Sequence, residues 1–443
     1  MLQTQPTSFV PRLAGVLLLT LCAVHVSAEG TFKIDRGIYA EKLHGFWLGQ
    51  SIANWTGLVT ELDRVEPPFY TDADWGGLDE PAIFGRYVAH SSRRAFYLLD
   101  PEHVWGADDD TDIEYIYWHL MHESADSLLG ADQIRDGWLK HIYSNEDAPP
   151  SPTEFKRENF LWVSNETAYY LMKDSALLPP ATSDPEHNPD HAMIDAQLTT
   201  ESFGLMAPGR PDVALHLAEL PIRVTASGEA AAIAGFYVVM HSLAATVDSS
   251  RDLGDQLREL AREASTVLPE DGYARDMFDF VDTAYSARTN DEDWASVRDA
   301  LYREYQAGTR AGYRYQRPFD AGINFAASLV SLYFGNGDFR RTVQIACLAG
   351  WDSDNPAATW GGLLGFILGR EGVEAAFGGQ PFSEAYWIHR TRRAFPDRTP
   401  GEPGEDRFSL MAKRGVTVVD RVVERYLDGS IRDGGARWEI PGR

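Results

Sequence analysis

Apolar positions along this chain recur mostly at the three- and four-residue spacing of helices. Tyr39, Leu43, Phe46 and Trp47 form such a stripe in a predicted helix over 39–62, where Gly45 and Gly49 stand one turn apart and leave room for a second helix to pack closely. The stretch from Gln50 to Gly57 in that helix is polar and aromatic, a composition suited to a pocket wall. Residues 66–100 are rich in Pro, Gly and aromatics and predict loop, with a short helix near 82–89. The acidic run Asp108-Asp109-Asp110-Thr111-Asp112 then opens a helix: Thr111 and Glu114 have the spacing of a capping box, and Ile113, Ile116, Tyr117, Leu120 and Met121 make its apolar stripe. Helices over 134–142 and 159–172 come next, with Pro-rich stretches between them at 148–152 and after them at 179–189 that predict surface loops.

From residue 192 the pattern is helical almost to the end, over 230–247, 253–267, 276–287, 294–305, 322–334, 339–348 and 413–427. Strand-like alternation is scarce and no internal repeat is visible. The predicted fold class is all-α, a single compact multi-helix bundle spanning 29–443. The Pro/Gly-rich stretch 396–404 is a linker candidate, but the segment C-terminal to it is too short for a core of its own.

Residues 1–28 have the layout of a signal peptide: Arg12, an apolar run from Leu13 to Val24, and the small-residue site Val26-Ser27-Ala28. The bland alternative is an apolar N-terminal helix of the fold. Cys22 follows the bulky Leu21, which favours free export over a lipid anchor, so the expected location is secreted or periplasmic. Removal of the leader leaves Cys347 as the only cysteine and allows no internal disulfide. The formal net charge of −26 repels nucleic acid polymers and anionic membrane, and no other run is long enough to span a bilayer. A small-molecule or glycoside substrate is the expected partner.

Chemistry concentrates in two acidic stretches some 240 residues apart, 108–112 and Asp352-Ser353-Asp354-Asn355. The second lies between the apolar segments 343–349 and 363–368, and acid between buried helices is costly without a cation. Carboxylate and amide oxygens suit Mg2+ or Mn2+ and not zinc or copper, and so much charge would accommodate two ions, about 3.5–4 Å apart. His187, Asp190 and His191 have a spacing zinc could use, but with no cysteine partner and flanking turn formers a solvated loop is the preferred reading. Asn54-Trp55-Thr56 and Asn165-Glu166-Thr167 fit glycosylation sequons, triplets common by chance.

In order along the chain, Leu43-His44-Gly45-Phe46-Trp47-Leu48-Gly49, Asp109-Asp110-Thr111, Ala196-Gln197 with Phe203-Gly204-Leu205-Met206-Ala207-Pro208-Gly209, Gly335-Asn336-Gly337-Asp338-Phe339 and Gly350-Trp351-Asp352-Ser353-Asp354 resemble the ADP-ribosylglycohydrolases. The resemblance implies an all-helical fold with a dimetal site that hydrolyses a glycosidic bond at the anomeric carbon of a ribose. It assigns metal binding to Asp109, Asp110, Asp352 and Asp354. Asp108 falls where members carry another oxygen ligand, and Asn355 where they commonly carry Thr. Gln50 replaces an Asp that usually follows the first glycines, and Thr225-Ala226 replaces a Ser-His step, so the hydrolase core is retained while the positions tied to ADP-ribose differ.

On this reading Asp109, Asp110 and Asp354 are the catalytic candidates, one of them deprotonating the attacking water. Gln50, Trp105, Trp351 and Ser353 are the substrate-binding candidates. Trp47, Trp55, Trp105 and Trp351 could each stack on a sugar or base, against the plainer alternative of core packing. Two other readings compete: a saccharide or nucleoside hydrolase on the same scaffold, and an exported binding protein without catalysis. The presence of all four matched aspartates favours catalysis.

Overall fold

Small residues determine the central contact of the molecule. In the computed structural model, which describes residues 31–106, 108–150, 157–290, 293–388, 392–399, 401 and 405–442, helix α1 (Arg36–Gly57) runs antiparallel against a later 23-residue helix, Asp354–Ala376. Gly45 and Gly49 abut Gly361 and Gly365 of that helix so closely that the backbones touch. Both helices are buried nearly all round along this seam, so neither is a simple amphipathic surface helix. The predicted leader, residues 1–28, lies outside the described residues.

A strand β1 (Thr31–Asp35) precedes α1, and Asp35 caps α1 by accepting from the Ile38 amide at 2.9 Å. Then come α2 (Asp109–Glu123), α3 (Ala131–His141), α4 (Val163–Asp174), the short α5 (Ala196–Thr200) and α6 (Phe203–Met206), α7 (Pro211–Thr225) and α8 (Gly228–Leu243). The second half continues through α9 (Leu253–Ala264), α10 (Tyr273–Ser286), α11 (Trp294–Leu301), α12 (Ala321–Gly335), α13 (Phe339–Ala349) and the long partner of α1, α14 (Asp354–Ala376). A two-residue ribbon, β2 (Ala385–Tyr386) with β3 (Asp406–Arg407), leads to α15 (Phe408–Tyr426), β4 (Ser430–Arg432) and β5 (Arg437–Pro441). The fold is all-α, as the periodicity predicts, and one continuous core joins α1 to α15.

Three local readings change. Residues 82–89 form no helix: Pro81 and Gly85 break the chain into turns, and the Ile83 amide donates to the Leu62 carbonyl instead. The cap of α2 is Asp108, whose carboxylate accepts from the Thr111 amide at 2.7 Å, while the Glu114 carboxylate turns inward to Gln50 and Ser202. A small antiparallel sheet in the order β1-β5-β4 joins the first described residues to the last, with Trp438 and Ile440 of β5 buried opposite Ile34 and Phe32.

Of the Pro-rich stretch 179–189, Thr182, Ser183 and Asn188 are buried. His191 lies beside Ser227, and Asp190 is buried, pairs with Arg317 and accepts from Thr167, so this stretch is packed and hydrogen-bonded instead of the solvated loop the sequence predicts. Cys347 is a buried free thiol.

Candidate metal centre

The turn between α13 and α14 places the second acidic pair. Gly350 and Trp351 both take left-handed backbone angles (φ 100° and 59°), and a side chain on Gly350 would strike the Arg64 carbonyl. Backbone bonds from Leu62 to Trp351 and from Trp351 to Arg64, each 2.8 Å, strap the segment after α1 across this turn. That strap carries Glu61 to the N-terminus of α14, where Glu61, Asp352 and Asp354 hold one carboxylate oxygen each within 4.8 Å of the others. The N-terminal dipole of α14 favours this charge only in part.

The first acidic run meets them from α2. Asp108 accepts from Thr111 with one oxygen and from the Asn54 amide with the other. Asn165 Nδ2 donates to Asp109 at 2.9 Å and to Asp110 at 2.8 Å, and the Trp162 amide donates to Asp109 at 3.0 Å. The Asn165 amide in turn donates to Asp195 at 3.0 Å. Phe160 and Val163, on either side of Trp162, have φ of 52° and 40°, the strained region for a β-branched residue such as Val163.

Charge at this junction is one-sided. Burial and the Asp108 charge push Glu61 up to about 7 and Asp109 up to about 8. Asp110 is held well above the carboxylate range by burial and then by Asp109 and Asp195. Asp352 is raised by burial and by Asp354, and Asp354 by burial and by Glu61 and Asp108. The strongest neighbouring charges on Glu61, Asp110, Asp352 and Asp354 are therefore other carboxylates.

Two further oxygens, Asp354 Oδ1 and Asn355 Oδ1, are buried without a hydrogen-bond donor, while Asn355 Nδ2 donates to Asp352 at 3.3 Å. Converging carboxylates with an orphaned amide oxygen form an all-oxygen donor set that fits a hard divalent cation. Asn355 thus presents an amide oxygen where the family resemblance expects a Thr ligand.

The structure brings together Asp108, Asp109, Asp110, Asp352, Asp354 and Asn355, and adds Glu61, Asn54, Asn165 and Asp195. The four substrate-binding candidates, two of them on the turn that carries Asp352 and Asp354, are buried in the packed interior. Trp105 and Trp351 are fully buried; their indoles donate at 2.9 Å to the Ser383 carbonyl and at 2.6 Å to Gln306, and Trp351 packs on Phe69. Ser353 is buried, bonded to Thr60 at 3.0 Å and to the Gly57 carbonyl at 3.1 Å, so its hydroxyl closes the α14 turn. Gln50 faces the interior and donates to Glu114 at 2.6 Å. Burial corrects the expectation that these side chains face a pocket: packing satisfies the rings, and internal hydrogen bonds satisfy the polar groups. Trp47 is likewise buried, and the half-buried Trp55 stacks with Tyr97.

Glu61 carries no spacing signal, because it stands alone after a helix end. Asn165 is visible in sequence only as part of a sequon, yet it is fully buried and committed to two aspartates, as Asn54 is to Asp108.

Comparisons with known proteins bear on this layout. No curated protein matches the sequence. A solved structure titled "ADP-ribosylglycohydrolase-related protein complex" is similar at 13% identity, over 86% of this chain and 98% of that one, with a TM-score of 0.48. The family model for ADP-ribosylglycohydrolase matches residues 35–402, which takes in α1, both acidic runs and α14. With the ordered motifs and the family match coinciding on the same helices, the chain belongs to the ADP-ribosylglycohydrolase family.

Proposed function

We propose that this chain is an exported, metal-dependent hydrolase that cleaves a glycosidic bond at the anomeric carbon of a ribose or related sugar. Family membership supports a glycohydrolase-type function. The observation that carries the finer reading is the junction of Glu61, Asp352 and Asp354 with the α2 aspartates, where buried acids raise one another's pKa and the Asp354 and Asn355 oxygens lack a donor.

Asp108, Asp109, Asp110, Asp352, Asp354, Asn355 and Glu61 would hold two divalent ions, Mg2+ or Mn2+. When bound, such ions activate a water and orient the sugar hydroxyls. Asn165 keeps the Asp109 and Asp110 carboxylates aimed at the junction, and one of Asp109, Asp110 and Asp354 takes the proton of the attacking water. The surrounding negative charge stabilises the positive charge that develops on the sugar as the glycosidic bond breaks. Glu61, on the strap after α1, covers the N-terminus of α14.

A second reading, hydrolysis of an ordinary nucleoside or saccharide, is favoured by one observation. Ala226, in place of the histidine of the family's Ser-His step, is buried at the end of α7 and offers only a methyl group, with no hydrogen bond for a nucleotide sugar. Chelator-treated mature protein, reloaded with Mg2+ or Mn2+ and offered ADP-ribosyl, nucleoside and glycoside substrates, tests both. Metal-restored cleavage of one class, absent in Asp354→Ala, supports the proposal and selects the substrate. No cleavage of any class with metal bound would leave the exported binding protein as the better reading.

A further inference from the structure

One helical turn below the acidic centre lies a second polar layer. Asn54, Asp110 and Asn355 of the upper layer stand four residues from Gln50, Glu114 and Thr359, on α1, α2 and α14 respectively. Between them the α5–α6 junction inserts Glu201, and α8 contributes His241. Glu114, Glu201, His241 and Thr359 are fully buried, and Gln50 and Gln197 are 1% exposed.

Donors and acceptors do not balance in this layer. Glu114 is satisfied by Gln50 and by the Ser202 amide at 3.2 Å. Both oxygens of Glu201 lack a hydrogen-bond partner, and burial and then the Glu114 charge hold its carboxyl well above the usual carboxylate range, against a smaller opposing effect of the nearby Thr359 hydroxyl and Gln50 amide. Gln197 Nε2 donates to Thr359 at 3.1 Å and leaves its Oε1 without a donor. His241 Nδ1 lies 2.8 Å from the Tyr237 carbonyl, which can only accept, so the ring proton sits on Nδ1. Burial holds His241 down at about 4, so the ring is neutral and Nε2 presents a bare lone pair. That lone pair is unpartnered, and Glu201 Oε1 lies 3.7 Å from Nε2.

We infer that this layer is a second metal site, distinct from the acidic centre, that holds one divalent transition-series cation of the Zn2+ or Mn2+ class between His241 Nε2 and the Glu201 carboxylate. Gln197 Oε1 is a further oxygen of this layer without a hydrogen-bond partner. An imidazole nitrogen beside carboxylate and amide oxygens suits these ions better than Mg2+. A backbone carbonyl on the other ring nitrogen is the usual orientation of a metal-bound histidine. The donor separation of 3.7 Å is near the roughly 3.4 Å spanned by two tetrahedral bonds of about 2.1 Å. A divalent charge also balances the two buried carboxylates, Glu114 and Glu201. The ion would enter as the helices close over it during folding, tying α5 and α8 to the three helices that carry the acidic centre.

This second site does not depend on which substrate the acidic centre takes. Crystals of the mature protein, purified without chelator and grown with Zn2+ or Mn2+, would be measured at the metal's absorption edge. An anomalous peak bonded to His241 Nε2 and Glu201 is the expected result. Elemental analysis after dialysis against chelator should retain one ion per chain, lost in Glu201→Gln, while Mg2+ titration of the acidic centre is unaffected. No anomalous peak in the wild-type crystals, with Glu201 closed to hydrogen-bonding distance of Nε2, would show a shared proton and overturn the proposal. If Glu201→Gln does not fold, the wild-type diffraction decides alone.

Discussion

Gly361 of α14 faces Gly49 of α1 so closely that a Cβ added to Gly361 would lie 2.6 Å from the Gly49 carbonyl oxygen. Further along the same antiparallel contact, a side chain on Gly57 would meet the backbone of Ser353 and Asp354, so the seam sets how near the end of α1 comes to the acidic turn. Gly361→Ala should therefore destabilise the fold by about 1–3 kcal/mol, the usual cost of overpacking, and should weaken metal binding as well. Denaturant unfolding and metal titration of the same variant check both. Unchanged metal affinity would separate the seam from the site.

Asn165 is the group that holds Asp109 and Asp110 with a single amide nitrogen. Removing it in Asn165→Ala leaves the half-buried Asp109 and the buried Asp110 without their shared donor, and Mg2+ affinity should fall about 10- to 100-fold, as for other residues that orient metal ligands. Calorimetric titration measures this. The same burial means that Asn165 and Asn54 carry no glycan in folded protein, whatever the host; peptide mapping from a glycosylating host should find both unmodified.

The pH dependence of the metal-free protein has a defined sign. Burial raises Asp109 from 3.8 to about 8 and Glu61 from 4.5 to about 7 in the folded state, so between those values the folded chain binds more protons than the unfolded one. Stability is fully present below about pH 4 as far as these groups are concerned, and is lost as pH rises through 7 to 8. Thermal melts of chelated protein should show Tm falling from pH 5 to pH 8, and added Mg2+ should raise Tm more at pH 8 than at pH 5. A Tm that rises over that interval without metal would contradict the burial of these acids.

Trp351 tests the packing assignment. Its ring is buried against Phe69 and bonded to Gln306 at 2.6 Å, so Trp351→Ala should cost about 3–5 kcal/mol, typical of a large buried aromatic. The milder Trp351→Phe should lower Tm while leaving KM for the identified substrate unchanged. A raised KM at unchanged Tm would return the ring to the substrate.

Both outcomes for the aromatics bear on what the sequence can reveal. The helices were legible because their stripes recur over many turns, and Gly45 and Gly49 announced the close packing that Gly361 and Gly365 complete. Asp109 and Asp110 were legible as part of a dense acidic run at a helix start, and Asp352 and Asp354 because they put acid between two apolar segments. Glu61 was not, because it is brought to the site by a backbone strap to Trp351 that no local pattern encodes. Trp105 and Trp351 misled for a related reason: closeness in sequence to an acid does not fix which way a ring turns, and both rings turn into the core. The strands β1 and β5 are short and far apart in sequence, so the Arg-Trp-Glu-Ile-Pro alternation of 437–441 has meaning only once its partner is known.

Calorimetric titration of Mg2+ and Mn2+ into the chelator-treated protein, beside Asp354→Ala, tests the acidic centre most directly. Saturable binding of about two ions to the wild type, abolished in the variant, is the predicted result. No saturable binding in the wild-type protein, with its fold intact by circular dichroism, would contradict a metal centre at Glu61, Asp352 and Asp354.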